Sequence, residues 1–249
     1  MTGDTVTFVP AETVLGPLEL LRETPDLLVL NKPAGLATVS LAGQSGDSMA
    51  ARVRARDPSL EWPGPALESG IVHRLDAATS GVLLVARTDA LWAELRRQTR
   101  ERLWEKTYLC LIEGRLDDPQ EVALPIGQHR KSRRRMTGVI DPEKAARYNA
   151  QPATSRIEPM VSDGSRTLLR VRTQMGLRHQ VRVHLASIHL PVVNDGLYGH
   201  VSDPSLPGHY LHGESICWED PSTGEPVVDQ APLPAWWPRW ALDSQSTVA

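Results

Sequence analysis

A chain of 249 residues with 41% apolar and 23% charged side chains has ordinary globular composition and can bury one large core or two small ones. Its two cysteines, Cys110 and Cys217, lack neighbours at ligand spacing, which excludes a cysteine-rich metal site and argues against a disulfide scaffold. The net charge of -3 argues against indiscriminate coating of nucleic acid and leaves room for a local basic groove.

In chain order, Met1–Pro10 lacks the basic-then-apolar pattern of an export signal, and no stretch reaches membrane-spanning length. A cytoplasmic protein without membrane contact is therefore expected. Asp26–Asn31 is a short apolar strand closed by the turn Lys32-Pro33-Ala34-Gly35. From Leu41 to Glu68 the chain is rich in Gly, Ser, Pro and charge, a surface excursion holding one helix near Ser48–Arg56. His73-Arg74-Leu75-Asp76-Ala77-Ala78-Thr79-Ser80-Gly81 then puts a carboxylate beside an arginine in the turn before the apolar run Val82–Ala86. A charged pair at such a turn reads as a site carried by a rigid scaffold, with Asp76 as candidate nucleophile or base. Asp before Thr-Ser-Gly is also a common turn arrangement.

Asp89 starts a helix running to Leu103, with Leu91 and Leu95 on one face, and Lys106–Ile112 is a strand. Residues Gln120–Ala146 read as irregular and basic. Strands resume at Ala153–Glu158 and Arg166–Arg172, the second alternating as a half-buried strand does. His179–Ile188 reads as a helix, Leu211–Trp218 and Val227–Val228 as strands, and the last ten residues as disordered. The pattern lacks strict βαβ repetition and a strand-linked glycine cradle. It therefore predicts a mixed α+β domain on a large, largely antiparallel sheet and disfavours a nucleotide-cofactor fold.

Basic residues cluster. Arg130, Lys131, Arg133, Arg134 and Arg135 crowd one loop, and Arg96, Arg97, Arg100, Arg102 and Lys106 follow one helical segment. Local phosphate contact by one face suits this pattern, and so do a solvated loop and an ordinary surface helix. His73, His179 and His184 offer no zinc-type spacing, so no metal site is expected.

In order along the chain, Asn31-Lys32-Pro33-Ala34-Gly35-Leu36, His73-Arg74-Leu75-Asp76 with Thr79-Ser80-Gly81, Lys106-Thr107-Tyr108 and Pro152-Ala153-Thr154 are followed by His179-Gln180-Val181-Arg182-Val183-His184, Asp195-Gly196-Leu197-Tyr198-Gly199 and Leu211-His212. This series resembles the RluA family of ribosomal and transfer RNA pseudouridine synthases, and the likeness runs over roughly residues 20 to 236. The resemblance implies the pseudouridine synthase catalytic fold over residues 20–238, between a short extension at 1–19 and a disordered tail at 239–249.

It also implies site roles. Asp76 matches the family's catalytic aspartate, which attacks the flipped uridine so that the base detaches, turns and rejoins the ribose through carbon 5. Tyr108 matches the tyrosine that packs on the flipped base and takes part in removing the carbon 5 proton. Arg182 matches the arginine that pairs with the aspartate and orients it. Arg74 matches the residue that enters the helix where the uridine left, since the glycosidic carbon is unreachable inside a stacked stem. Lys32, Arg130, Lys131, Arg133, Arg134, Arg135, Arg178, His179 and Gln180 are the remaining candidates for RNA contact. The implied partner is structured RNA, ribosomal or transfer, with no DNA, no metal, no organic cofactor and a monomeric enzyme. Many relatives carry an N-terminal S4 domain; with about twenty residues before the catalytic part, none is expected here.

The chain departs from the family in three places. Leu177 stands where arginine is usual, Ala77-Ala78 replace a frequent Arg-Asp pair, and Gly213 replaces alanine. The main rival reading is an RNA-binding or ribosome-assembly protein that kept the fold and lost catalysis, with Leu177 as its only support. A glycoside hydrolase needs two flanking carboxylates, and an enzyme of free nucleotides leaves the basic loop unexplained.

Overall fold

The computed structural model describes residues 16–40, 46–201 and 203–244. Met1–Pro10 and parts of the 1–19 extension, the 41–68 excursion and the 239–249 tail thus lie outside the described residues.

Strands β1 (Glu19–Glu23) and β2 (Leu27–Lys32) open the fold, and helix α1 (Met49–Arg56) precedes β3 (Ser80–Ala86). Helix α2 (Asp89–Arg100) leads into β4 (Glu105–Glu113), followed by β5 (Gln120–Ala123), the small pair β6 (Ile126–Gln128) and β7 (Met136–Gly138), and the short helix α3 (Pro142–Ala145). Strands β8 (Thr154–Ser162) and β9 (Arg166–Thr173), helix α4 (Gln180–Ser187), strands β10 (Leu211–Glu219) and β11 (Pro226–Gln230) and helix α5 (Arg239–Asp243) complete it. The main sheet runs β1-β2-β3-β10-β4-β9-β8-β5, with β11 alongside β10. Every neighbouring pair in it is antiparallel except β3 with β10. The α+β architecture expected from the pattern is the one found.

Both faces of the sheet are covered, which is why β3 is buried at every residue and shows no alternation. Leu27, Val29, Val82 and Leu84 pack with Leu95 of α2 and Trp104, while Leu28, Leu30, Leu83 and Val85 pack with Met49, Ala50 and Val53 of α1. In the other half, Cys110, Ile112, Leu169 and Val171 meet Val181 and Leu185 of α4. Leu109, Leu111 and Leu168 lie with Trp237 and Ala241, so the C-terminal tryptophans close a core instead of forming a tail.

Several elements differ from expectation. The 120–146 stretch contains β5, β6, β7 and α3; strands of three and four residues are too short to show a period. Helix α5 falls where disorder was expected, and Ala241 on it is fully buried. Helix α2 ends at Arg100, short of Leu103, because Arg102 turns into the left-handed region at φ +61°. β1 is a further addition, paired along β2.

The turn around Asp76 is bolted down from several sides. Its backbone closes through Thr79 N–H donating to Asp76 O at 3.0 Å. Thr79 Oγ1 lies 2.8 Å from His209 Nε2, and Ser80 Oγ lies 2.8 Å from His212 Nδ1. His73 Nε2 accepts from Leu84 N–H at 3.1 Å, and its ring meets Trp104 edge-on at 5.6 Å. Gly81 follows at φ +129°, where a Cβ would lie 2.2 Å from Gly213 O, so only glycine lets β3 and β10 approach this closely. At Gly213 a Cβ would find Leu75 Cδ2 at 3.5 Å and Tyr108 Cε1 at 3.7 Å, ordinary contacts, so the alanine usual there would also fit.

These histidines are buried neutral. Burial pushes His209 and His212 down to about 4 and His73 well below its ordinary 6.5, with Lys106 adding to the effect on His73. Between roughly pH 4 and 6.5 the unfolded chain therefore binds more protons than the folded one. Stability is expected to be fully present above about pH 6.5 and to fall as the pH drops toward 4, read as a decreasing urea midpoint. A midpoint that stays flat over that range would contradict neutral burial.

Candidate active site

Strand register brings the pieces together. Lys32 at the end of β2 pairs with Gly81, Gly81 with Gly213, and Gly213 with Tyr108 of β4, so the Asp76 turn and Tyr108 meet across adjacent strand ends. Helix α4 packs over β9 through Val181 and Leu185, presenting Arg182 toward the turn. Asp76, Tyr108 and Arg182, far apart in sequence, line one cavity of about 750 Å³.

Arg182 is the hub. Its Nη1 donates to Asp76 Oδ2 at 2.6 Å, while Nε and Nη2 form a fork onto Asp195 at 2.7 and 2.8 Å. The Asp195 side chain is fully buried and the Asp76 side chain 25% exposed, so one carboxylate anchors the guanidinium and the other faces the cavity. Burial acts to raise the Asp195 pKa, but the hydrogen bonds and charge of Arg182 outweigh it and hold the carboxyl below its ordinary value. For Arg182, burial acts to lower the pKa and the two aspartates more than reverse it. Asp195 also accepts from Leu197 N–H at 2.9 Å, which shapes the following turn.

Tyr198 extends this network. The Arg182 guanidinium stacks 5.1 Å from its ring centroid, and its hydroxyl lies 2.8 Å from His179 Nδ1 and accepts from Met136 N–H at 2.8 Å. His179 Nε2 is 3.7 Å from Asp76 Oδ1. Burial, with help from Arg182 and Arg178, pushes His179 down to about 4 against the pull of Asp76, so this is a contact with a neutral ring and not an ion pair. Burial, reinforced by the Asp76 charge, pushes the Tyr108 phenol above its ordinary value.

The structure sorts the candidate RNA contacts into two groups. Arg74 is exposed on the cavity rim, and Arg130, Lys131, Arg133, Arg134 and Arg135 are exposed on the β6–β7 hairpin loop. Arg178 is exposed too and donates to Arg133 O at 3.0 Å and Arg134 O at 3.3 Å, tying that loop to the start of α4. Arg135 reaches back over the Tyr198 ring at 5.4 Å.

Lys32 and Gln180 are instead internal. Lys32 is 0% exposed and its ammonium donates to Pro33 O, Leu36 O and Ala77 O at 2.8, 2.6 and 3.1 Å, so no donor remains for phosphate. Burial pushes its pKa down to about 7 against the charge of Asp76. Its bond to Ala77 O makes it a positioning residue for the Asp76 turn. Gln180 Nε2 donates to Thr154 O, Ser155 Oγ and Thr173 Oγ1, bracing α4 on β8 and β9. The His179 side chain is only 7% exposed and is engaged with Tyr198.

Asp195 and Tyr198 were absent from the expected site. Their only signal was the Asp-Gly-Leu-Tyr-Gly segment, which names no role. Leu177, where arginine is usual, packs against the buried cluster of Ile126, Ala153 and Val183, as Met136, Met175 and Tyr198 also do. Among the described residues no cluster of His, Cys, Asp and Glu fits a metal ion, and no helix is long and apolar enough to cross a membrane.

Comparison with known proteins identifies the family. The profile of the family described as RNA pseudouridylate synthase matches residues 26–187. A ribosomal large subunit pseudouridine synthase D of Nitrosomonas europaea is 34% identical over 226 residues, covering 88% of this chain and 62% of its own. A dual-specificity RNA pseudouridine synthase RluA of Yersinia pestis is 34% identical over 211 residues, covering 84% of this chain and 95% of its own. An uncharacterized RNA pseudouridine synthase of Synechocystis is 33% identical, and there too the chain spans only 66% of the relative's length. In fold, human RNA pseudouridylate synthase domain containing 4 superposes with a TM-score of 0.66 at 21% identity, covering 92% of both chains.

The two carboxylates on Arg182 differ in burial, and their removal should differ accordingly. Asp195→Asn is expected to lower unfolding free energy by about 3 kcal/mol, the usual penalty for breaking a buried ion pair. Asp76→Asn should cost clearly less, because Arg182 keeps its fork onto Asp195. Urea unfolding of both variants measures the order; an equal or reversed order would contradict the anchoring role of Asp195.

Proposed function

The chain belongs to the RluA-type RNA pseudouridine synthase family, and on that footing we propose that it converts uridine to pseudouridine in structured ribosomal or transfer RNA. The single observation that carries this reading is the Asp76 carboxylate held at 2.6 Å by buried Arg182 within a cavity also lined by Tyr108. The reaction breaks the bond between uracil N1 and ribose C1′, turns the base and joins C5 to C1′. The C5 proton leaves and N1 gains one, so atoms balance without redox change and no cofactor is called for.

In this account Asp76 acts on the ribose–base unit with one oxygen fixed by Arg182 and the other directed to the cavity. Arg182 sets the angle of that carboxylate, and because its own position is set by Asp195, the nucleophile needs little reorganisation at the moment of reaction. Tyr108 stays a phenol at neutral pH, since burial and the nearby Asp76 charge both disfavour phenolate. Its role is therefore to pack on the flipped base and offer a hydrogen bond, rather than to act as a pre-formed phenolate base. Arg74, exposed at the rim two residues before Asp76, is placed to fill the gap left by the flipped nucleotide. The Arg130–Arg135 loop supplies phosphate contacts that position the RNA without reading its sequence.

Purified protein incubated with total RNA tritiated at uridine C5, taken from cells lacking the gene, should release tritium to water. Asp76→Asn should reduce that release by at least about 10³-fold while the variant still binds RNA, since it removes the reacting group and not the binding surface. Tritium release by Asp76→Asn at the wild-type rate would remove Asp76 from the mechanism.

A further inference from the structure

One wall of the cavity has no part in the mechanism above. The C-terminal part of α2, the turn after it and the start of β4 line it with Arg96, Arg100, Arg102 and Lys106. Arg100 and Arg102 are exposed, and among the described residues neither side chain has a hydrogen bond or carboxylate partner. Lys106 is 9% exposed, its ammonium 5.6 Å from the Trp104 ring centroid, and it too lacks a hydrogen-bond partner among the described residues. Arg96 donates to Val72 O at 3.2 Å and its guanidinium lies 5.6 Å from the Trp92 ring centroid, yet it has no carboxylate partner among the described residues.

The same helix shows what a purely structural arginine looks like. Arg97 points away from the cavity and is held by Glu94 on one side and Glu101 on the other. A favourable interaction with the helix dipole would account for basic residues in the last turn, but not for which of them are left unpaired. Nor would it account for Arg102, which lies beyond the helix in a left-handed conformation at φ +61° that glycine adopts more easily. Lys106 lies on a strand. What these side chains share is the cavity they face, where, among the described residues, Glu68 and Asp76 are the only carboxylates on the lining.

We propose that Arg96, Arg100, Arg102 and Lys106 form a phosphodiester-binding rail that grips the RNA backbone beside the nucleotide flipped toward Asp76. This rests on the RNA-modifying reading for the identity of the polymer, and adds a second grip to that of the Arg130–Arg135 loop. Cations on a cavity wall without a carboxylate partner among the described residues match a row of phosphates, each of which gives up counterions when it is neutralised. Lys106, at the inner end, meets the phosphate nearest the flipped ribose. Its amine is pushed down to about 8 by burial, and an arriving phosphate restores a full charge there.

The test is the salt dependence of binding to a fluorescein-labelled synthetic RNA hairpin with uridines in its loop, by anisotropy across a potassium chloride series. Arg100→Ala/Arg102→Ala should flatten the slope of log affinity against log salt by roughly 1.5, the loss of two phosphate contacts. Arg97→Ala should leave the slope at the wild-type value. In single turnover on the tritiated RNA, the double variant should need more enzyme to saturate yet keep its saturated rate within about twofold, the signature of lost uniform binding. An unchanged slope in the double variant, or an equal flattening by Arg97→Ala, would overturn the rail. Flattening confined to the double variant, with no tritium released even by wild type, would uphold the rail and overturn the proposed reaction. Tritium release with an unchanged slope would do the reverse.

Discussion

A buried guanidinium is tolerated only when its donors find acceptors and its charge finds a partner. Arg182 meets both demands with two carboxylates, and the consequence is a division of labour. Asp195, fully buried, takes the fork from Nε and Nη2; Asp76, partly open to the cavity, takes a donor on Nη1. Because the fork fixes the plane of the guanidinium, it also fixes where the third hydrogen bond can be made. The position of the Asp76 carboxylate is thus set by Arg182 on the cavity lining and, behind it, by Asp195, which is not on that lining.

The rest of the fold serves that geometry. Gly81 lets β3 and β10 run parallel at close quarters, which brings the Asp76 turn beside Tyr108. Lys32, His209 and His212 then hold the turn from below without contacting the reaction volume. This is an expensive arrangement in polar groups taken out of water, and each one is compensated by a named partner. Scaffold residues at the site are therefore as demanding chemically as the reacting ones. Lys32 is the clearest instance, a buried cation spent on three carbonyls to shape a loop.

Much of this was legible in the sequence. The strands from Asp26 and Gly81, the helix at Ser48–Arg56 and the partnership of Asp76 with Arg182 follow from runs long enough to show a pattern, or from a family likeness spread over many segments. What was not legible depends on tertiary contact. A lysine after a strand looks the same whether it faces phosphate or is buried against carbonyls, so Lys32 and Gln180 were expected at the RNA surface. Asp195 shows no local sign that its acceptor role is filled by a residue thirteen positions earlier. The three-residue strands β6 and β7 are too short for periodicity, and the helix at Arg239–Asp243 is held by Trp237 and its neighbours and not by its own pattern. Departure from the family at Leu177 reads as loss in sequence; in the fold its apolar side chain joins a small cluster with Tyr198.

The central claim is that a carboxylate fixed by a buried arginine isomerises uridines in RNA. Its most direct test is pseudouridine mapping of total RNA from cells lacking the gene, complemented with either the wild-type or the Asp76→Asn form. The account predicts that particular pseudouridines vanish without the gene, return with wild type and stay absent with Asp76→Asn. Those sites would also name the substrate. A map that is identical in all strains, or one restored equally by Asp76→Asn, would contradict it.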